Sequence, residues 1–210
     1  MFKICEKGRS MVEMLGVLAV IGVLSAGGLA GYSKAMYRYK LSKTIDIASS
    51  GLREFSFFIK KDVSGYDADK EEMAQKAKST GLLPECEVAQ SRLASGYQVC
   101  RVPLGEIYPR FFISEGDGEN YYTYMMYVTL LSSQTSACVD FLARGWDQML
   151  PERFWRHGKI WLTSDKGSQL INLSAQNALS VGNLLTPCSN ICAGGAAYCS
   201  IVFDFSGYSN

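Results

Sequence analysis

The sequence predicts an α+β protein. A long N-terminal α-helix is half transmembrane and half packed on a globular head, which contains an antiparallel β-sheet and is cross-linked by disulfides. Three observations predict this fold class. Residues 14–32 form an uncharged apolar run, a helical stripe of apolar residues continues to Ile59, and the remainder combines strand-like alternation with six cysteines. We therefore expect a helix over residues 9–60, with 14–32 in the membrane, and a head domain over residues 61–210.

The overall composition excludes two classes of protein. The 210 residues include 21 Lys+Arg and 20 Asp+Glu, a balance that argues against binding nucleic acid through bulk electrostatics. With 48% hydrophobic and 12% aromatic residues, the chain has an ordinary globular composition and does not resemble a disordered one. No nucleic-acid partner is therefore predicted.

The apolar run MLGVLAVIGVLSAGGLAGY extends from Met14 to Tyr32 and contains 19 residues without a charge. As a helix it would be about 28 Å long, close to the ~30 Å hydrocarbon thickness of a bilayer. Lys3, Lys7 and Arg9 precede the run, so the positive-inside rule keeps the N-terminus cytoplasmic and sends the C-terminal domain across the membrane. Basic residues also follow the run and weaken this orientation, although long domains translocate largely regardless of flanking charge.

Hydropathy alone leaves two simpler interpretations open. One is a plain signal anchor, and the other is a secretory signal peptide, for which Ala26, Gly28 and Ala30 offer suitably small residues. Neither interpretation needs Glu13, the carboxylate at the mouth of the apolar run. A charge of this kind costs about 2.5 kcal/mol or more at the bilayer centre, so Glu13 is a candidate functional residue.

The stretch KGRSMVEMLGVLAVIGVLSAGGLAGYSKAMY resembles the N-terminus of type IV pilins and type II secretion pseudopilins, with a class III prepilin-type leader. A predicted helix with Cys138 and a Cys-rich tail before a final strand are similar to the plan of the larger type IVb class. The resemblance implies a leader of residues 1–8 that prepilin peptidase removes between Gly8 and Arg9. Arg9 then becomes the mature N-terminus and the candidate for N-methylation. Glu13 becomes the fifth residue of the mature chain, where this family has its Glu.

Two features depart from the family pattern. The mature chain usually starts with Phe, Met or Leu, whereas here it would start with Arg9. The proline often found midway in the apolar helix is absent, and glycines near Gly27 and Gly31 offer a similar local weakness, at about 1 kcal/mol each relative to Ala. These glycines leave open both close helix packing in the membrane and a break into two helices.

The resemblance implies a structural subunit of a type IV pilus or a type II secretion pseudopilus. Cleavage would create an α-amino group at Arg9, and Glu13 of an incoming chain would pair with that group on a neighbour. Because a buried unpaired charge is strongly unfavourable, this pair would fix the axial register. The implied partners are further copies of the chain, prepilin peptidase and an inner-membrane assembly platform. The implied location is the inner membrane, with a periplasmic C-terminal domain, and then the periplasmic to extracellular filament.

The cysteines agree with removal of the leader. Cys5 would leave with it, so the odd number of seven becomes an even set. In an oxidising periplasm, six cysteines form up to three disulfides in any of 15 pairings. Our preferred pairing joins Cys86 to Cys100, joins Cys138 to one of the three C-terminal cysteines, and pairs the other two. Many type IV pilins tie a helix or strand to the C-terminal region in a similar way. The six are Cys86, Cys100, Cys138, Cys188, Cys192 and Cys199.

The head shows a series of local patterns. Glu115, Asp117 and Glu119 lie in a Gly-rich loop between two strands; calcium is conceivable there, but Asp-Gly pairs are common turn formers, so no cofactor is expected. The predicted helices and strands follow. They are helices over Lys70–Thr80, Ser136–Leu150 and Ser174–Leu184, and strands over Tyr97–Leu104, Ile107–Ile113, Tyr121–Leu131 and Ile201–Phe205.

Nothing in the sequence indicates an enzyme. His157 is the one histidine, and a nucleophile elbow, P-loop, HExxH motif or GxGxxG context is absent from the sequence. Two classes of function therefore remain: the filament subunit, and a secreted or membrane-anchored disulfide-rich periplasmic protein that forms no filament.

Overall fold

The computed structural model describes residues 11–58, 73–93, 96–116, 119–130, 135–150, 152, 154, 158–173, 178–192 and 195–208. The chain divides into two compact units, Met1–Lys40 and Leu41–Asn210, and helix α1 (Met11–Phe58) contributes to both. The other elements all belong to the second unit. They are the helices α2 (Met73–Ser79), α3 (Thr135–Leu142), α4 (Trp146–Met149) and α5 (Val181–Ile191), and the strands β1 (Glu87–Gln90), β2 (Gln98–Val102), β3 (Gly105–Gly116), β4 (Glu119–Leu130), β5 (Lys159–Ser164), β6 (Gly167–Ile171) and β7 (Cys199–Tyr208).

The described strands form one seven-stranded sheet in the order β1-β2-β3-β4-β7-β5-β6, and every neighbouring pair is antiparallel. The β3–β4 hairpin predicted from the alternating pattern is present, with Gly105 opposite Leu130 and Gly116 opposite Glu119. The last strand of the chain, β7, lies between β4 and β5 near the middle of the sheet. The α+β fold class, with its long N-terminal helix, antiparallel sheet and disulfides, is confirmed.

Helix α1 runs without interruption past Gly27 and Gly31, so the alternative of two helices broken at these glycines is wrong. Its second half carries the predicted apolar stripe, of which Leu41, Ile45 and Leu52 are buried in the second unit. The second compact unit begins at Leu41, since this stripe forms part of its core.

The inner face of the sheet packs closely against α1 at Gly51. A Cβ added to Gly51 would lie 2.5 Å from Leu83 Cδ2 and 3.5 Å from Met126 Sδ, and both of these side chains are buried. Met126 belongs to β4, on the same face as Val128, because side chains alternate along a strand. The absence of a side chain at Gly51 therefore lets the helix approach the sheet closely.

An aromatic cluster covers the inner face on the β7 side. The Trp146 ring lies 4.8 Å from the Phe203 ring and 5.1 Å from the Phe141 ring, and its Nε1 donates a 2.7 Å hydrogen bond to the Phe141 carbonyl. The single helix predicted over Ser136–Leu150 is wrong in this region. Gly145 has a φ of 76°, a left-handed conformation that suits glycine, and it separates α3 from α4 so that Trp146 starts a new turn.

Three disulfides link the elements of the second unit. Cys86 bonds Cys100, which is the first pair that the sequence favoured. Cys138 bonds Cys188, one of the three C-terminal cysteines, and the other two, Cys192 and Cys199, bond each other. The second bond joins α3 to α5, and the third joins the end of α5 to the start of β7. The helix predicted over Ser174–Leu184 is wrong in its bounds, because α5 is Val181–Ile191 and contains Pro187.

We expect Gly51→Ala to destabilise the protein. Alanine is better than glycine in a helix by about 1 kcal/mol, but displacing buried Leu83 inside a packed core costs about 1–3 kcal/mol. Thermal unfolding of the full chain in detergent, followed by circular dichroism, measures the difference. The matched control is Gly182→Ala in α5, where an added Cβ meets nothing within 4 Å. A Gly51→Ala melting temperature at or above that of the wild type would contradict this packing.

We also expect Cys188→Ser to rearrange the neighbouring disulfide. The Sγ atoms of Cys138, Cys192 and Cys199 all lie within 4.8 Å of one another, so a Cys138 thiolate freed of its partner can attack the Cys192–Cys199 bond. The new bond joins Cys138 to one of these sulfurs and releases the other as a thiolate. Non-reducing proteolysis and mass spectrometry identify the pairs. In the control Cys86→Ser, the freed Cys100 lies outside this cluster and should stay a thiol; an intact Cys192–Cys199 bond in Cys188→Ser contradicts the expectation.

Candidate polymerisation helix

The first half of α1 exposes its apolar side chains. Met11 is 83% exposed, Val23 74% and Leu24 70%, and none of the most apolar stretch of the helix is buried within the chain. We call residues 14–32 the apolar segment. By length and composition, the helix is sufficient to cross a membrane. Its sequence and its exposure together make the apolar segment the candidate functional site.

This exposure has a clear energetic consequence. Removing apolar surface from water contributes roughly 25 cal/mol per Å², and soluble monomers rarely expose large contiguous apolar patches. The apolar segment is apolar all round, as a helix buried on every side would be. The described residues do not cover it, and lipid or the apolar helices of other copies would do so.

Small residues give the apolar segment places for close approach. A Cβ added to Gly22, Gly27, Gly28 or Gly31 would meet nothing within 4 Å, so none of these glycines is required by packing inside the chain. Gly27 and Gly31 are four residues apart and therefore lie on the same face of the helix. This spacing is typical of helices that pack closely against one another in membranes.

Glu13 lies in the first described turn of α1, directly before the apolar segment. Its side chain is exposed, and a carboxylate near a helix N-terminus interacts favourably with the helix dipole. At the other end, Lys34 and Arg38 follow the segment and are exposed. The apolar segment is thus bounded by a carboxylate on one side and by cations on the other.

Several predicted site residues lie outside the described residues. These include Gly8 and Arg9, the predicted cleavage position, so the pairing of Glu13 with the mature N-terminus stays a prediction. Asp117 also lies outside them, and the side chains of Glu115 and Glu119 are not described, so the acidic loop stays untested. The six head cysteines are all disulfide-bonded, and the clustered sulfurs of Cys138, Cys192 and Cys199 therefore offer no thiolate to a metal ion.

A second feature, a pocket on the outer face of the sheet, was not predicted from the sequence. We call it the tyrosine pocket, since four tyrosines surround a floor of smaller polar residues, and its volume is about 290 Å³. The strand-like alternation around Tyr108 and Tyr127 is the signal that was available, but it does not show which strands are neighbours. The main lining residues are Tyr97, Tyr108, Tyr127, Tyr198, Glu106, Thr129 and Ser200.

Comparison with solved structures found a similar fold in a pilin. The crystal structure of a type IVb pilin from Salmonella typhi aligns with a TM-score of 0.44 and 18% sequence identity, over 80% of this chain and 99% of that one. The search against family models found no match, and the search of curated proteins also found none.

Proposed function

We propose that this chain is a structural subunit, a pilin or pseudopilin, of a type IV pilus or type II secretion pseudopilus. It polymerises through the apolar segment of α1 after prepilin peptidase has removed residues 1–8. The observation that carries the proposal is the exposure of the whole apolar segment in a chain whose second unit has a core of its own. A bilayer and a bundle of like helices are the two environments in which such a helix is stable.

Before assembly, the apolar segment anchors the subunit in the inner membrane. Its 19 uncharged residues match the hydrocarbon thickness, and the basic residues before it favour a cytoplasmic N-terminus. The second unit then lies in the periplasm. The three disulfides of that unit support this location, because disulfides form and persist in oxidising compartments.

After assembly, the apolar segment leaves lipid and packs against the same segment of other subunits. Apolar contacts between such helices change little when one helix slides along another, so they do not select an axial position. Glu13 selects it, because its carboxylate becomes buried in the filament and pairs with the α-amino group of Arg9 on a neighbour. A misplaced subunit leaves both charges buried and unpaired, at a cost of about 3–5 kcal/mol.

The balance of charge fits this role. Removal of the leader takes away Lys3, Lys7 and Glu6, after which basic and acidic side chains are equal in number. A net charge near zero favours association, which a filament subunit requires of its own copies. The peptidase and an inner-membrane assembly platform are the further partners that this function requires.

Mass spectrometry of the mature protein, purified from membranes or sheared filaments, tests the processing step. We expect the chain to begin at Arg9, and a methyl group on that residue would show N-methylation. A chain that begins at Gly31 would identify a cleaved secretory signal instead. An intact Met1 would identify a plain membrane anchor, and either result overturns the proposal.

For the register mechanism, the informative substitution is Glu13→Ala. We expect normal cleavage and membrane insertion, since the apolar segment is unchanged, but the α-amino group of Arg9 loses its partner in the filament. A cost of about 3 kcal/mol corresponds to roughly a hundredfold lower incorporation. Quantitative immunoblots of sheared filaments against membrane pools measure this ratio.

The matched control is Asp46→Ala, which removes another exposed carboxylate from the same helix, within the second unit. Its incorporation should remain within about twofold of the wild type, as is usual for surface substitutions. If Glu13→Ala subunits enter filaments as well as Asp46→Ala subunits do, then Glu13 does not set the register.

A further inference from the structure

We propose that the tyrosine pocket binds a neutral saccharide ring. The pocket belongs entirely to the second unit, so this inference does not depend on the function of the apolar segment. Strand register explains how the pocket forms. Tyr108 on β3 lies opposite Tyr127 on β4, and Thr129 on β4 lies opposite Glu106 on one side and Ser200 of β7 on the other.

The tyrosine rings form walls that remain partly open. The ring of Tyr108 lies 5.4 Å from that of Tyr97 at an interplanar angle of 84°, and 6.0 Å from that of Tyr127 at 47°. All three rings line the cavity, so part of their surface is available to a ligand. A half-buried tyrosine offers an apolar ring face together with a hydroxyl. A sugar ring has the matching pair of surfaces, C–H groups on its faces and hydroxyls around its edge.

The floor of the pocket supplies fixed hydrogen-bonding groups. Glu106 is 3% exposed, and its Oε2 accepts a 2.8 Å hydrogen bond from the Ser91 hydroxyl while its Oε1 accepts a 2.9 Å bond from the Arg92 amide. Each carboxylate oxygen can accept a further bond, so Glu106 is held in place and still able to accept from a ligand hydroxyl. The Thr129 and Ser200 hydroxyls lie 2.7 Å apart beside it and extend the polar floor.

One polar group that lines the pocket still lacks a partner. Among the described residues, nothing accepts from or donates to the buried hydroxyl of Tyr108. Burial raises the pKa of the Tyr108 phenol above its ordinary value, with Arg110 acting in the opposite direction, and so the group remains a protonated donor at neutral pH. Buried polar groups in native proteins nearly always have partners, and a shift of the Tyr108 side chain on binding would let a ligand hydroxyl provide this one.

Size and charge narrow the class of ligand. A volume of about 290 Å³ is at the small end for ligand pockets and suits one sugar ring. The two charged residues that line the pocket, Glu106 and Arg110, have opposite signs, so neither an anion nor a cation is favoured. A second cavity of about 540 Å³ shares Glu106 and is also lined by Glu87 and Arg101, which gives a longer saccharide room to continue.

The test is a calorimetric titration of the full chain, purified in an amine-oxide detergent because sugar-based detergents would compete. The probes are methyl β-D-galactopyranoside, methyl α-D-mannopyranoside, methyl α-D-glucopyranoside and N-acetylglucosamine, with sialic acid and glucosamine as charged comparisons. We expect at least one neutral sugar to bind with a Kd of about 1 mM or tighter. A lack of binding by every neutral probe, or tighter binding by a charged one, overturns the proposal.

Substitutions locate the binding in the tyrosine pocket. Tyr127→Ala removes one wall and should weaken binding at least tenfold, whereas Tyr108→Phe removes only the hydroxyl without a partner and should weaken it severalfold. Tyr39→Ala is the control, because Tyr39 is 63% exposed on α1 in the other unit, and it should bind as the wild type does. If Tyr127→Ala and Tyr108→Phe both bind with wild-type affinity, the sugar does not occupy this pocket. None of these outcomes depends on leader cleavage or filament incorporation.

Discussion

The apolar segment of α1 is the constraint on which the rest of the molecule depends, because none of it is buried by the residues that the structure describes. The same helix continues into the second unit, where Leu41, Ile45 and Leu52 are buried and Gly51 brings the backbone close to Leu83 and Met126. The apolar segment and the apolar stripe buried in the second unit therefore belong to one continuous helix.

The second unit, in turn, has a core and cross-links that do not involve the apolar segment. Strand β7 pairs with both β4 and β5, so the end of the chain completes the middle of the sheet. The Cys192–Cys199 bond holds the start of β7 beside α5, and Cys138–Cys188 holds α5 against α3. One bond joins cysteines that are far apart in the sequence, and the other joins cysteines that are close together. Both restrict the conformations of the unfolded chain as well as those of the native one.

The sequence predicted what depends on local periodicity, and missed what depends on distant neighbours. The extent of α1 and the β3–β4 hairpin follow from spacing within a few residues. The insertion of β7 between β4 and β5 is a pairing across the chain, for which periodicity carries no information. The break at Gly145 and the helix around Pro187 went unpredicted because buried Trp146 and two disulfides override local preference there. The tyrosine pocket was also missed because periodicity does not show which distant strands are neighbours, and its residues come from β3, β4, β7 and the segments beside them.

Two carboxylates of this protein differ in the environment in which they lie. Glu106 is buried in the folded chain, and the Ser91 hydroxyl and the Arg92 amide satisfy it there. Glu13 is exposed beside the apolar segment, where water or lipid head groups can solvate it. In the proposed assembly, Glu13 loses that solvation only when a subunit enters the filament. The free-energy penalty for an unpaired charge therefore acts when a subunit enters the filament, the step at which the correct axial position must be distinguished from incorrect ones. Membrane insertion does not incur this penalty.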